Sequence, residues 1–176
     1  MAKYYANKIV DLFPSVKNAK GIYEEIMNVS SFELPEMEFG EGEISGSGII
    51  GTVNVPDFTG IESMEAKITG KSYESMNPIF NPLGVSLKLN WAVDKVGADG
   101  AKAFDSYTAY INGFPKNIPG GEKTKGETQE LEATISTTYY KLIQNGKTIT
   151  EYNPLAGKLV INGVDVMAKI NQAVGR

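Results

Sequence analysis

Residues 85–93, VSLKLNWAV, restrict the fold more than any other stretch of this chain. Val85, Leu87, Leu89, Trp91 and Val93 fall on one face, and Ser86, Lys88, Asn90 and Ala92 on the other. Period-two alternation over this length means a strand with one buried face. The run GADG at 97–100 predicts a turn, and KAFDSYTAYIN at 102–112 predicts the return strand, so 85–112 reads as a hairpin.

A second hairpin follows. TQELEATISTTYYKLI at 128–143 predicts a long strand, with Leu131, Ala133 and Ile135 pointing one way. Glu130, Glu132, Thr134, Ser136 and Thr138 point the other way and make a small, polar, acidic face. Asn145-Gly146 then separates this strand from KTITEY at 147–152, the short-range signal of a type I′ hairpin turn. That register sets Leu142 opposite Ile149 and Tyr139 opposite Tyr152. Between the hairpins, PKNIPGGEKTKGE at 115–127 is loop by composition. The 19 glycines cluster at such turns, with β-branched and aromatic residues between them, the profile of a mainly β domain. A chain of 176 residues fits a single domain with room for arms. Residues 1–22 mix apolar and basic groups without a clear period and read as an N-terminal arm. Helices are few. SYESMNPIF at 72–80 predicts a short helix halted by Pro82. A C-terminal helix is expected over 163–174, capped by Asn162, with Asp165 in its first turn and Gly175 after its end.

The chain contains no cysteine and no histidine, which removes disulfides, thiolate nucleophiles and the usual neutral-pH acid or base. The net charge of −4, without a basic block, argues against tight binding of nucleic acid phosphates. No apolar run approaches the length of a membrane span. Charges and tyrosines interrupt MAKYYANKIVDLF where a signal peptide needs a continuous apolar core. The pairs Glu24-Glu25 and Glu130/Glu132 suit solvated surfaces better than acid–base work. No nucleophile and base stand at a recognisable spacing, so no enzyme and no cofactor are expected.

Residues 46–51, GSGIIG, match the glycine spacing of a dinucleotide-binding turn. Such a turn needs a helix directly after it to hold the pyrophosphate. Here TVNVPDFTG follows, β-branched and interrupted by Pro56, while Glu41 and Glu43 precede the turn and would repel phosphate. The context therefore reads as an extended loop or hairpin arm over 40–60. Ile49 and Ile50 become its odd feature, because two isoleucines in a glycine-rich loop need a cover. Either the domain core or another subunit supplies it.

The final third resembles the end of the major tail tube protein of contractile-tailed phages of the P2-like kind. The residues that carry the likeness are Tyr139-Tyr140-Lys141-Leu142, Asn145-Gly146, Glu151, Gly163-Val164-Asp165 and Val174-Gly175. Leu34-Pro35, the glycine-rich stretch at 46–51 and the hairpins precede them in the family's order. Three features depart from the family: Tyr152-Asn153 stand where an aspartate usually follows the return-strand glutamate, Asn171 stands where a basic residue is expected, and the 115–127 linker is somewhat longer. The resemblance implies a β-sandwich or small barrel of two packed antiparallel sheets with a flanking α-helix, an extended inter-subunit loop and a C-terminal helix.

The same resemblance implies homohexameric rings that stack into the hollow inner tube of a contractile tail. That tube is a conduit for DNA in a phage, or a puncturing device in a phage-tail-like bacteriocin. The implied partners are other copies of the chain, the tail sheath protein, the tape measure and the baseplate or tube-initiator proteins. DNA would be non-specific passing cargo, and the chain itself would not insert into a membrane. Assembly is expected in the host bacterial cytoplasm, and the product in a virion tail or tail-like particle. On this plan the inter-subunit contact falls on Gly46, Ser47, Gly48, Ile49, Ile50 and Gly51. The lumen face falls on Glu130, Glu132, Thr134, Ser136 and Thr138. Two other readings fit the alternation: a monomeric β-sandwich binding module, and a secretion-system tube protein.

Overall fold

The computed structural model describes residues 3–175. A long strand, β1 (Tyr4–Lys17), opens the chain, followed by short β2 (Tyr23–Glu25) and β3 (Val29–Glu33). β4 (Gly40–Ile44) and β5 (Val53–Asp57) come next, then β6 (Glu65–Gly70). One helical turn, α1 (Tyr73–Met76), runs into a 3-10 turn at Asn77–Phe80. The three longest later strands are β7 (Val85–Gly97), β8 (Lys102–Pro115) and β9 (Leu131–Gln144). β10 (Lys147–Asn153), β11 (Lys158–Ile161), β12 (Val164–Asp165) and α2 (Ala168–Ala173) end the chain.

The fold is mainly β and forms a sandwich, as expected, but its two layers are wings of one ten-stranded antiparallel sheet. Strands run in the order β12-β11-β10-β9-β8-β7-β1-β2, and β6 with β3 branches from β9. β9 makes this possible by changing neighbours along one edge. Its first half pairs with β6, Leu131 to Ser136, and its second half with β10, Tyr140 to Gln144. Its other edge pairs with β8 from Ile135 to Gln144. The β3–β6 wing then folds over β7, and Phe32 meets Trp91 edge-on with ring centroids 5.5 Å apart.

The core lies between the wings. Ala66 and Ile68 of β6 face Leu87 and Leu89 of β7, Ala109 and Ile111 of β8, and Ala133 and Ile135 of β9, all fully buried. Met76 of the helical turn and Ile79 of the 3-10 turn after it are fully buried in the same core. The 85–112 hairpin has the register that alternation predicts, with Leu87 opposite Ile111 and Trp91 opposite Tyr107. Asn145 and Gly146 both take positive φ, at 48° and 78°, as a type I′ turn requires.

Four local expectations are corrected. Leu142 faces Thr150 rather than Ile149, and Tyr140 rather than Tyr139 faces Tyr152, because the β9–β10 ladder carries a bulge between Thr148 and Thr150. The extra residue, Ile149, turns its carbonyl away to accept from the Asn162 N–H at 2.6 Å. β9 also changes phase. Leu131, Ala133, Ile135 and Thr137 are buried, but the next buried residue is Tyr140, after a register break opposite Asn112–Gly113. Residues 1–22 are not a free arm, since β1 pairs with β7 from Tyr4 to Val16. Two breaks in that ladder, around Ile9, scramble the period and hide the strand from a pattern search.

The fourth correction concerns the C-terminus, where the helix spans Ala168–Ala173 instead of 163–174. Asn162 and Gly163 take positive φ and form the turn between β11 and β12, which leaves Val164 in a strand and exposed. The Asn-Gly signal applied at 145–146 holds here as well, and it outcompetes the capping reading. Asp165 stays near the helix start, where its carboxylate accepts from the Met167 N–H. Gly175 ends the helix at φ 78°.

Candidate assembly surfaces

The GSGIIG segment tips a two-stranded hairpin. β4 and β5 pair from Gly40–Asp57 to Ile44–Val53 and form a sheet with no strand of the main sheet beside them. No helix follows the glycines, so the chemistry of a dinucleotide site is missing here. At the tip the Ile49 N–H donates to Gly46 O at 3.1 Å, and Gly48 and Gly51 take φ of 92° and 89°, values that disfavour a side chain. Ile50 has a relative exposure of 105%, and Ile44, Ile49, Val53 and Val55 are exposed as well. The domain core covers none of them. The base of the arm is anchored instead. Phe39 and Phe58 meet edge-on at 5.0 Å, and the Asp57 carboxylate accepts from both the Thr59 N–H and the Thr59 hydroxyl. Those bonds hold the Asp57 carboxyl below the usual carboxylate range.

The second candidate surface lies on the outer side of the β3–β6–β9 wing. Glu132, Thr134 and Ser136 share this side with Thr69, Lys67 and Glu65 of β6, their direct cross-strand partners. Glu130 precedes the strand and is exposed, and Thr138 sits at the phase change, where its hydroxyl donates to Asn112 O. The five residues therefore do not form one even row. Lys67 pairs with Glu33 at 3.4 Å, and Lys116 pairs with Glu65, which leaves Glu130 and Glu132 to set the sign of this side. Asn117 straps β9, its side chain donating to Glu132 O and accepting from the Thr134 N–H at 2.7 Å.

The outer side of the other wing has different chemistry. Tyr110 and Lys141 are cross-strand neighbours, as are Lys141 and Glu151. Lys158 Nζ lies 3.1 Å from a Glu151 oxygen, Lys141 Nζ 3.7 Å, and the Tyr139 hydroxyl donates to the other oxygen at 3.3 Å. Burial raises the Glu151 pKa, but the Lys158 bond, the two lysine charges and the Tyr139 hydroxyl outweigh it and hold the carboxyl low. Tyr139 is pushed up to about 12, by burial first and the Glu151 charge second. This cluster ties β9, β10 and β11 together, so the YYKL segment and Glu151 serve strand cohesion.

Because the folded pKa of Glu151 is depressed, its contribution is present above the unfolded carboxylate value and is lost as pH falls through the folded one. Asp94 and Asp105 act in the same direction. A urea titration of the subunit should show a stable plateau near neutral pH and a decline below about pH 4. Glu151→Gln should be less stable on the plateau and fall more gently. A parallel decline in the two proteins would show that Glu151 is not a source of the slope.

An additional surface escapes the sequence pattern. Tyr4, Tyr5, Ile9, Val10 and Phe13 on β1, with Phe104 on β8, are large apolar residues left exposed at one end of the main sheet. The signal was present, apolar residues spaced among the basic groups of the first thirteen positions, but the two register breaks mask their strand period.

A detached arm, a second acidic surface and an apolar sheet end suit a chain that binds copies of itself. A family model for phage tail tube protein FII matches residues 22–175. The chain belongs to that family. Comparison with curated proteins gives no match. As a phage tail tube protein the chain is a structural tail component that assembles with other copies into a tube, and this is not an enzyme family. No helix among the described residues is long and apolar enough to cross a membrane.

Proposed function

We propose that this tube protein forms hexameric rings that stack into the hollow inner tube of a contractile tail of the P2-like kind. The single observation that carries the reading is the β4–β5 arm, which holds Ile49 and Ile50 in solvent at the tip of a hairpin outside the main sheet. An apolar tip on a chain from a tube family fits a contact with a neighbouring subunit or ring. The likeness of the Tyr139-to-Gly175 segment to contractile-tail tube proteins favours that tail type over a secretion-system tube. In this reading the acidic surface around Glu130, Glu132, Thr134 and Ser136 lines the channel. Like charge would keep DNA from gripping the wall. The outer surface would meet the sheath, and the ring ends would meet the tape measure and baseplate initiator. Both a phage tail, carrying DNA, and a bacteriocin, puncturing a membrane, would use the subunit in this way.

Negative-stain electron microscopy of concentrated protein, with sedimentation velocity alongside, tests the proposal. Six-fold rings or hollow tubes are expected, formed spontaneously or on a preformed baseplate. A strict monomer at every concentration, which stays monomeric on a baseplate, would overturn it.

A further inference from the structure

The outer side of β1, β7 and β8 carries a groove of about 360 Å³ lined by Phe13, Ala92, Ser106 and Thr108, with Asp11 at its edge. Cross-strand pairing puts Phe13 beside Asn90, Asn90 beside Thr108, Ala92 beside Ser106, and Phe104 beside Asp94. Phe13 and Phe104, at 48% and 62% exposure, therefore stand on the same side of the sheet, and Tyr5 joins them one step further along. The charges around this end are distinctive. Asp94 is buried, with its carboxylate accepting from the Asn7 amide and the Lys8 N–H, and Asp11 accepts from the Leu12 N–H. Lys8 and Lys102, whose charges both act on Asp94, are exposed, and no ion pair forms on either among the described residues. This side of the sheet thus carries exposed aromatic rings, with the Asp11 carboxylate at the groove itself and the unpaired ammonium groups of Lys8 and Lys102 further along, around Asp94.

The arm has the complementary composition. Residues 40–57 contain Glu41, Glu43 and Asp57 and no lysine or arginine, around the exposed Ile44, Ile49 and Ile50. We infer that the groove at Phe13 and Phe104 seats the Ile49–Ile50 arm tip of a second copy of this chain, with Glu41 and Glu43 of the arm meeting Lys8 and Lys102 of the seat. The inference rests on the proposed role of the arm in assembly and adds where the arm lands. A contact between two different surfaces of identical chains is head-to-tail, so it propagates until the chain of copies closes or continues as a filament. Apolar burial would supply most of the attraction, and the opposite charges would select the register.

The absence of cysteine makes the test clean. Ile50→Cys and Phe104→Cys proteins are mixed under assembly conditions and oxidised. A disulfide needs Cα atoms within about 7 Å, so the mixed dimer should exceed the control pair, Ile50→Cys with Leu155→Cys, by about tenfold or more. Leu155 is equally available, at 88% exposure, and lies beyond the seat. A charge swap gives a second readout. Lys8→Glu with Lys102→Glu should lose assembly, and Glu41→Lys with Glu43→Lys on the same chain should restore it. If Ile49→Asp with Ile50→Asp loses assembly but Ile50→Cys joins Leu155→Cys as readily as Phe104→Cys, the seat is wrong and the arm's role survives. If the Ile49→Asp, Ile50→Asp protein assembles normally and Ile50→Cys joins neither, both the seat and the arm's role fail.

Discussion

Ile49→Asp with Ile50→Asp should abolish ring and tube formation and leave the isolated subunit folded. Burying an isoleucine is worth about 1.5–3 kcal/mol, so two lost side chains remove about 3–6 kcal/mol from each arm contact. Each 1.4 kcal/mol is a tenfold change, so the contact weakens by at least about a hundredfold before the cost of desolvating two carboxylates is added. The effect multiplies because every copy contributes one such contact. Within the subunit the substitution removes little, since Ile50 is fully exposed and Ile49, at 40% exposure, lies on an arm outside the main sheet. The expected change in melting temperature is about one degree or less. Electron microscopy and sedimentation read the first effect, and a thermal melt reads the second. Normal tubes from the double variant would remove the arm from the assembly mechanism.

Gly113→Ala should be the most damaging single methyl in the chain. Gly113 sits where β8 meets the phase change of β9, and a Cβ there would lie 2.9 Å from Ile135 Cγ2 and closer still to the Ser136 carbonyl oxygen. One obstacle is backbone and the other is a fully buried core side chain, so neither can move aside cheaply. The substitution should destabilise by about 3 kcal/mol or more, which lowers the melting temperature of a chain this size by about 6–12 degrees. Gly120→Ala is the control, because a Cβ there meets nothing within 4 Å and the melt should not move. A Gly113→Ala protein that melts like the parent would show that the two strands part more easily than their packing suggests.

Much of the main sheet was legible in the sequence wherever burial and backbone pairing keep one period. The 85–112 hairpin and the first half of β9 obey alternation because each faces the core on one side only. The Asn145-Gly146 turn was legible because its φ values leave few residues to choose from. Most misreadings occur where a strand inserts one residue, and the other where the Asn162-Gly163 turn displaces the expected helix start. Thr138, Ile149 and the neighbourhood of Ile9 shift the register in response to a partner strand distant in sequence, and no local period records that. The short β3–β6 pairing was hidden for the same reason, since its partner face belongs to β9. The candidate surfaces divide in the same way. The isoleucines at 49 and 50 were conspicuous against glycine, whereas Phe13 and Phe104, 91 residues apart, come to one side of the sheet only after β1, β7 and β8 pair.

The branching of β9 has a mechanical consequence. In an ordinary sandwich the layers are held face to face by apolar contact, which resists separation but slides under shear. Here β9 belongs to both layers, so one layer cannot slip past the other without breaking ladder hydrogen bonds along β9. The two wings of this tube subunit are thus joined by the peptide backbone of β9 as well as by their shared apolar core.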